Sequence, residues 1–336
     1  MTQETNRQWL LAARPVGMVK ESDFEFREGE IPAVCEGEIL VRSEFAGIEP
    51  AMRGWMEDRA SYVEPVALGA VMRSFNVGHV VESRDPAFQP GDAVWGSFGW
   101  QDYAAGKPRD LVARKIRRPD LLTHYLGVLG IPGLTAYFGL FDIGECKGGE
   151  TVVVSGAAGA VGSTAGQLAR IKGCRVIGIA GGPEKCRWVT EDLGFDACID
   201  YKSEKVGRRL SELCPDGIDI FVDNVGGDAL DAALARIRRK GRVVLVGGIS
   251  RYNETRPSPG PSNYMALVIR SARMEGFILF DFWQRFDEAE AAMLPWIDSG
   301  QLKYRETVTE GFDKLPRALI GIFAGENIGK QMVRLS

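Results

Sequence analysis

The chain has 336 residues, 45% of them hydrophobic, which is enough to fill the cores of two domains. Its net charge of −4 argues against a nucleic-acid partner. No run of 18 apolar residues exists, and Thr2 to Arg7 carry no apolar signal core, so a cytoplasmic protein with no membrane span is expected.

The first third reads as β-rich. Short apolar runs recur at Glu38–Val41, Gly78–Val81, Asp92–Trp95 and Asp110–Ala113. Turn residues separate them, notably Gln89-Pro90-Gly91-Asp92 and Ala105-Gly106-Lys107-Pro108. A small barrel-like domain is expected. His79 falls in one of these runs and reads as a packing residue. From residue 124 the pattern changes to alternating helix and strand. Strands are predicted at 151–154, 175–180, 197–201, 218–223, 242–247 and 274–280, which fits a doubly wound parallel sheet. The basic run Arg236-Ile237-Arg238-Arg239-Lys240 reads as a solvated helix end, and Arg256 to Ser262 as an irregular loop over a cleft. A strand at 303–309, a helix at 312–324 and a strand at 331–335 return to the first style. The expected fold is therefore α/β, with one domain at 1–123 plus 298–336 and another at 124–297. The cleft between two such domains is a natural ligand site.

Residues 151–182 carry the strongest signal. Thr151-Val152-Val153-Val154 runs into Ser155-Gly156-Ala157-Ala158-Gly159-Ala160-Val161-Gly162, and a helical pattern follows through Ala165, Leu168, Ala169 and Ile171. A second apolar run, Arg175 to Ala180, completes a βαβ unit of the kind that seats a pyrophosphate on a helix N-terminus. Gly156 allows the tight turn, Gly159 lets backbone approach phosphate, and Gly162 lets the helix pack close. The candidate cofactor set from this turn is Gly156, Gly159, Ala160, Val161 and Gly162. An ordinary glycine-rich turn is the alternative, but a valine strand before it and an alanine-rich helix after it favour a dinucleotide.

An NAD site usually ends its second strand with Asp or Glu. Here that strand ends in Ala180-Gly181-Gly182. The missing acid permits a 2′-phosphate, hence NADP(H). Lys185, on the next turn, offers a point charge, and Tyr201 a hydroxyl donor. Taken alone, Lys185 reads equally well as a solvated helix residue.

The six cysteines lie too far apart in sequence for a C-x-x-C motif, and His79 and His124 are the only histidines. Reduced, partly buried thiols and no metal site are expected.

Longer motifs carry a resemblance. They include Asn6-Arg7-Gln8-Trp9, Gly130-Ile131-Pro132-Gly133-Leu134-Thr135-Ala136-Tyr137, Gly181-Gly182-Pro183-Glu184-Lys185 and Asp223-Asn224-Val225-Gly226-Gly227. Ser250-Arg251-Tyr252-Asn253, Arg273-Met274-Glu275-Gly276-Phe277 and Glu326-Asn327-Ile328-Gly329-Lys330 complete the set. With these, the chain resembles the medium-chain dehydrogenases/reductases, and among them the zinc-independent NADP-dependent double-bond reductases. The resemblance implies a GroES-like β-rich domain plus a doubly wound Rossmann domain. It implies that Lys185 and Tyr201 hold the 2′-phosphate, that Asn224 faces the nicotinamide half, and that Asn327 contacts the cofactor. Tyr252 matches a tyrosine beside the substrate carbonyl. Where zinc-dependent relatives carry metal ligands, this chain reads Ala46 to Arg53 and Leu68 to Val71, with no ligand. One departure stands out: relatives commonly read Asp-Pro-Tyr-Met-Arg where this chain has Glu49-Pro50-Ala51-Met52-Arg53.

The implied activity is hydride addition from NADPH to the β-carbon of an enal or enone, with Tyr252 donating to the carbonyl oxygen. Tyr252 as a mere loop aromatic stays open, as does proton delivery to the α-carbon by water or through Tyr252. Tyr264, Phe280, Phe282 and Trp283 read either as a substrate wall or as core. Other readings are an NADPH quinone reductase and a non-catalytic NADPH-binding protein. The apolar segment 274–280, as an edge strand, implies a homodimer.

Overall fold

The computed structural model describes residues 5–256 and 259–335. Pro257 and Ser258, in the expected 256–262 loop, lie outside the described residues. The chain forms two compact units, one of Met1–Gly127 with Glu306–Ser336 and the other of Val128–Arg305. The divisions fall at 127/128 and 305/306, beyond the expected 123/124 and 297/298. At the second, Gln167 bonds both the N–H and the C=O of Lys303 at 2.8 Å, which ties the segment after residue 298 to the second unit.

In the second unit, six parallel strands are found among the described residues. They are β1 (Thr151–Ser155), β2 (Arg175–Ala180), β3 (Ala197–Asp200), β4 (Ile218–Asp223), β5 (Ile237–Leu245) and β6 (Arg273–Gly276). Their order across the sheet is β3-β2-β1-β4-β5-β6. The order reverses between β1 and β4, which is where doubly wound sheets open a ligand crevice at their carboxyl ends. A parallel strand at the centre is covered on both faces, so β1 is apolar along its middle: Val152, Val153 and Val154 are all fully buried. The helices used below are α1 (Ile131–Phe138), α2 (Ala160–Ile171), α3 (Pro183–Arg187), α4 (Val206–Leu213), α5 (Gly227–Leu234), α6 (Ala266–Arg270) and α7 (Phe286–Asp298). Leu210 of α4 and Leu230 and Leu234 of α5 join Val153, Ile177, Ile199, Phe221 and Val243 in one core.

The first unit is a mixed sheet. Lys330–Arg334 joins it beside Ile39–Gly47, so the chain's last described strand is paired near its first third. No single helix among the described residues is long and apolar enough to cross a membrane.

Three expected elements are corrected. Residues 110–113 form a turn rather than a strand, closed by Asp110 N–H to Lys107 O and Ala113 N–H to Pro108 O. The pairing falls instead to Tyr103–Gly106 and Arg114–Lys115. The basic run 236–240 is no helix end: it leads from a turn into β5, because buried Ile237 pairs with Ile218. Strand β6 ends at Gly276, short of the expected 280, and Leu279–Arg285 is a 3₁₀ helix. Phe282 stacks on Phe138 at 4.6 Å and meets Phe277 edge-on at 6.1 Å. This aromatic packing draws the chain off the ladder after β6.

Candidate cofactor and active site

The glycine turn joins β1 to α2. Gly156 has φ +62°, a conformation that disfavours any side chain. Its carbonyl accepts the Gly159 N–H at 2.9 Å. A Cβ on Gly162 would lie 2.3 Å from that same carbonyl oxygen, so only glycine lets α2 begin this close to the turn. Ala160 and Val161 open the helix and are half-buried. The first N–H groups of a helix have no intrahelical acceptor and bind anions well.

The second feature sits where β2 ends. Tyr201 stacks on Gly181: a Cβ there would meet its ring and hydroxyl at 2.8–2.9 Å. Lys185, on α3, is half-buried. Its ammonium is held below the ordinary lysine range by burial first and by the charge of Lys202 second, with Glu184 opposing. A half-buried cation disfavoured in this way by a second one marks a place an anion would relieve. Lys202 was invisible to motif reading, because its position depends on how β3 pairs with β2. The pairing also brings an unforeseen acid. Asp200 reaches the turn from β3, but its carboxylate is occupied: Oδ1 accepts the Gly182 N–H at 2.7 Å and the Lys202 N–H at 3.0 Å, and Oδ2 accepts the Ser203 hydroxyl at 2.9 Å. The Gly182 N–H first, then the other donors, hold it below the usual carboxylate range. Glu184 lies 3.6 Å from Arg305, which offsets its charge.

The third feature is the end of β4. Asp223 is fully buried. Its Oδ1 accepts the Ser155 hydroxyl at 2.7 Å and the N–H groups of Val225 and Gly226 at 3.0 Å. Burial nevertheless pushes this carboxyl above the usual range. Asn224 donates its amide to Ser155 O at 2.7 Å, and its N–H bonds Ser155 Oγ at 2.9 Å. Together these bonds clip the ends of β1 and β4 side by side. Tyr252 follows β5, half-buried, and its hydroxyl oxygen accepts the Gly248 N–H at 3.2 Å. The hydroxyl therefore still has its own proton to donate. Asp223 was missed at the sequence level; a buried acid at a strand end before a Gly-Gly pair is the signal that would have marked it.

Other candidates fall elsewhere. Phe280, Phe282 and Trp283 pack with Phe138 and Phe286 in an aromatic cluster, while Tyr264 is 56% exposed. Asn327 belongs to the other unit, where its amide donates to Gly329 O at 2.9 Å. In that unit Glu49, at the departure from the common motif, is buried and accepts from Lys330 Nζ at 2.9 Å.

Two family models match the chain. One, described as the N-terminal domain of oxidoreductase, matches residues 7–113, and one described as zinc-binding dehydrogenase matches residues 160–298. The NADPH-dependent curcumin reductase of Escherichia coli is 43% identical, over 99% of this chain and 98% of that protein. A 2-alkenal reductase (NADP⁺-dependent) of Nicotiana tabacum is 40% identical, over 99% of this chain and 98% of its own. The crystal structure of CurA from Vibrio vulnificus in complex with NADPH superposes with a TM-score of 0.93 at 42% identity, covering 98% of this chain and 99% of that one. The chain belongs to the medium-chain dehydrogenases/reductases, within the family of the NADP-dependent curcumin, alkenal and prostaglandin reductases.

Proposed function

We propose that this protein is an NADPH-dependent reductase of the C=C bond in α,β-unsaturated aldehydes and ketones. The observation that carries the cofactor choice is the half-buried Lys185, disfavoured by burial and by the charge of Lys202, beside the end of a β2 that lacks an acid. The reaction class follows from relatives named for NADP-dependent reduction of curcumin and 2-alkenals. When bound, NADPH supplies a hydride to the electrophilic β-carbon. The turn Gly156 to Gly162 and the first N–H groups of α2, at Ala160 and Val161, hold the pyrophosphate. Lys185, Lys202 and Tyr201 hold the 2′-phosphate. Asn224 shapes the nicotinamide end of the site, and Asn327 is assigned to the cofactor on the resemblance alone. As charge gathers on the substrate carbonyl oxygen, the Tyr252 hydroxyl donates to it.

Tyr252→Phe tests that role. It keeps the ring and removes the proton. A fall in kcat of about tenfold or more is expected, equivalent to ~1.4 kcal/mol, with NADPH affinity intact. A wild-type kcat, with hydride transfer shown to be rate-limiting, would reduce Tyr252 to a structural residue. We also expect activity to survive exhaustive chelation, since the stretches Ala46 to Arg53 and Leu68 to Val71 offer no cysteine or histidine to hold zinc, and the one carboxylate there, Glu49, is paired with Lys330. Stoichiometric zinc in active protein would count against this.

We read the protein as a cytoplasmic homodimer. The six free thiols suit a reducing compartment. At the sheet edge, β6 pairs with β5 alone among the described residues. Nearby α6 exposes Val268 and Ile269 at 70% and 72%, with Met265 and Tyr264 about half exposed. A second copy would cover this apolar face. Light scattering at micromolar protein should give twice the chain mass, and the double variant Val268→Glu, Ile269→Glu should give a monomer. A monomeric wild type would overturn the reading.

A further inference from the structure

At the amino end of the parallel sheet, away from the glycine turn, the fold brings together two free cysteines that stand 28 residues apart in the chain. Cys146 precedes β1 and Cys174 precedes β2, and their Sγ atoms lie 3.3 Å apart. Backbone bonds hold the two segments side by side. Gly149 donates its N–H to Gly173 O at 2.9 Å, Arg175 donates to Glu150 O at 2.9 Å, and Thr151 opposite Arg175 is the first pair of the β1–β2 ladder. Each cysteine is also anchored by its own N–H, Cys146 to Leu140 O at 3.2 Å and Cys174 to Ala169 O at 3.0 Å. The Cys174 thiol donates to Lys147 O at 3.1 Å, so the proton between the two sulfurs is that of Cys146. Both cysteines are buried, but not deeply: Lys147, Gly148, Gly149, Lys172, Gly173 and Arg175 around them are exposed.

We propose that Cys146 and Cys174 are a site of reversible oxidation by peroxides, and that the disulfide so formed staples the β1–α2 unit, which carries the glycine turn, against unfolding. The Cys146 proton holds the Cys174 thiol below its usual range, with burial opposing, which makes Cys174 the attacking sulfur and Cys146 the resolving one. The Cys174 thiolate attacks a peroxide oxygen, the O–O bond breaks, and a sulfenic acid forms as hydroxide leaves and takes up the proton that Cys174 gave to water. The Cys146 sulfur then attacks the Cys174 sulfur, the S–O bond breaks, and the departing oxygen takes the Cys146 proton and leaves as water. Two thiols and one hydrogen peroxide thus yield one disulfide and two waters, with two electrons passing to the peroxide. The sulfurs must close from 3.3 Å to ~2.05 Å, a step that side-chain rotation supplies while the flanking backbone bonds stay in place. A cross-link stabilises largely by restricting the unfolded chain, and longer rings gain more. The ring closed here encloses β1, the turn Gly156 to Gly162 and α2 whole. The staple sits at the end of β1 opposite that turn, so cofactor affinity is left as it was.

The test uses the reduced full-length protein, treated with hydrogen peroxide, then alkylated and digested without reductant. Mass spectrometry should find a Cys146–Cys174 linked peptide. Thermal melts are recorded before oxidation, after it, and after dithiothreitol, and NADPH is titrated by fluorescence in the same three states. Oxidation should raise Tm by about 5 °C or more, the scale expected for a ring of this length in a unit of this size, and dithiothreitol should return it to the first value. The NADPH Kd should stay within about twofold throughout. Cys174→Ala, which leaves the other five cysteines in place, should abolish both the linked peptide and the rise in Tm. Absence of the linked peptide from oxidised wild type overturns the oxidation site, whether or not the variant folds. A linked peptide with no rise in Tm overturns the staple, and so does a rise that persists in Cys174→Ala.

Discussion

Lys185→Ala is expected to weaken NADPH binding by about 1–3 kcal/mol, the range for losing a hydrogen bond to a charged group. That corresponds to a rise in Kd of roughly 5- to 150-fold, with the NADH Kd unchanged. Lys202→Ala should act in the same direction but less strongly, because Lys202 is exposed and its field is screened. The double variant should lose nearly all preference for NADPH. The reasoning is electrostatic. Without an anion, Lys185 is disfavoured by burial and by Lys202 together. A 2′-phosphate removes the repulsion and adds two attractions, so the site rewards that group specifically. The preference should therefore shrink as salt is raised, since surface charge pairs are screened over a Debye length of ~10 Å at 0.1 M. Equal losses for NADPH and NADH would remove both lysines from the phosphate site.

Lys185 was legible in the sequence and Lys202 was not, for a physical reason. Lys185 stands in a local pattern, strand then Gly-Gly then helix, that chain geometry alone interprets. Lys202 comes near only because β3 pairs with β2 in the register that sets Asp200 beside Ala180. The same holds for Asp200, an acid that local reading could not bring to the Gly182 turn. The parallel strands were readable because burial on both faces makes them continuous apolar runs. The end of β6 was not, because Phe277 and the apolar residues after it look like more of the same run. What takes them off the sheet is stacking on Phe138, far away in sequence. The charged run 236–240 misled in the opposite way. One buried Ile237 outweighs four cations that reach solvent, carbonyls or the Asp219 carboxylate.

Asp223→Ala should be the most damaging substitution at the site, and its damage should appear first in stability. The change leaves the Ser155 hydroxyl and the N–H groups of Val225 and Gly226 without their buried acceptor. Each orphaned donor costs ~1–3 kcal/mol, though such losses are not additive. A total of about 3 kcal/mol or more is expected, which in a unit of this size lowers Tm by roughly 10 °C. Asp223→Asn should be far milder. Three of the four contacts use Oδ1, which an asparagine carbonyl reproduces, and Oδ2 makes only a second contact with Gly226 N–H at 3.1 Å. The pH dependence separates charge from hydrogen bonding. Burial raises the folded-state pKa above the unfolded value of about 4. The folded protein then holds this proton more tightly than the unfolded chain, so its contribution is fully present below pH ~4 and is lost as pH rises through the folded pKa. Asp223→Asn should remove that decline while keeping most of the stability, and Asp223→Ala should lose stability at every pH. A thermal melt series across that pH range decides the matter: an alanine variant as stable as wild type would mean that the clip between β1 and β4 is held by Asn224 alone.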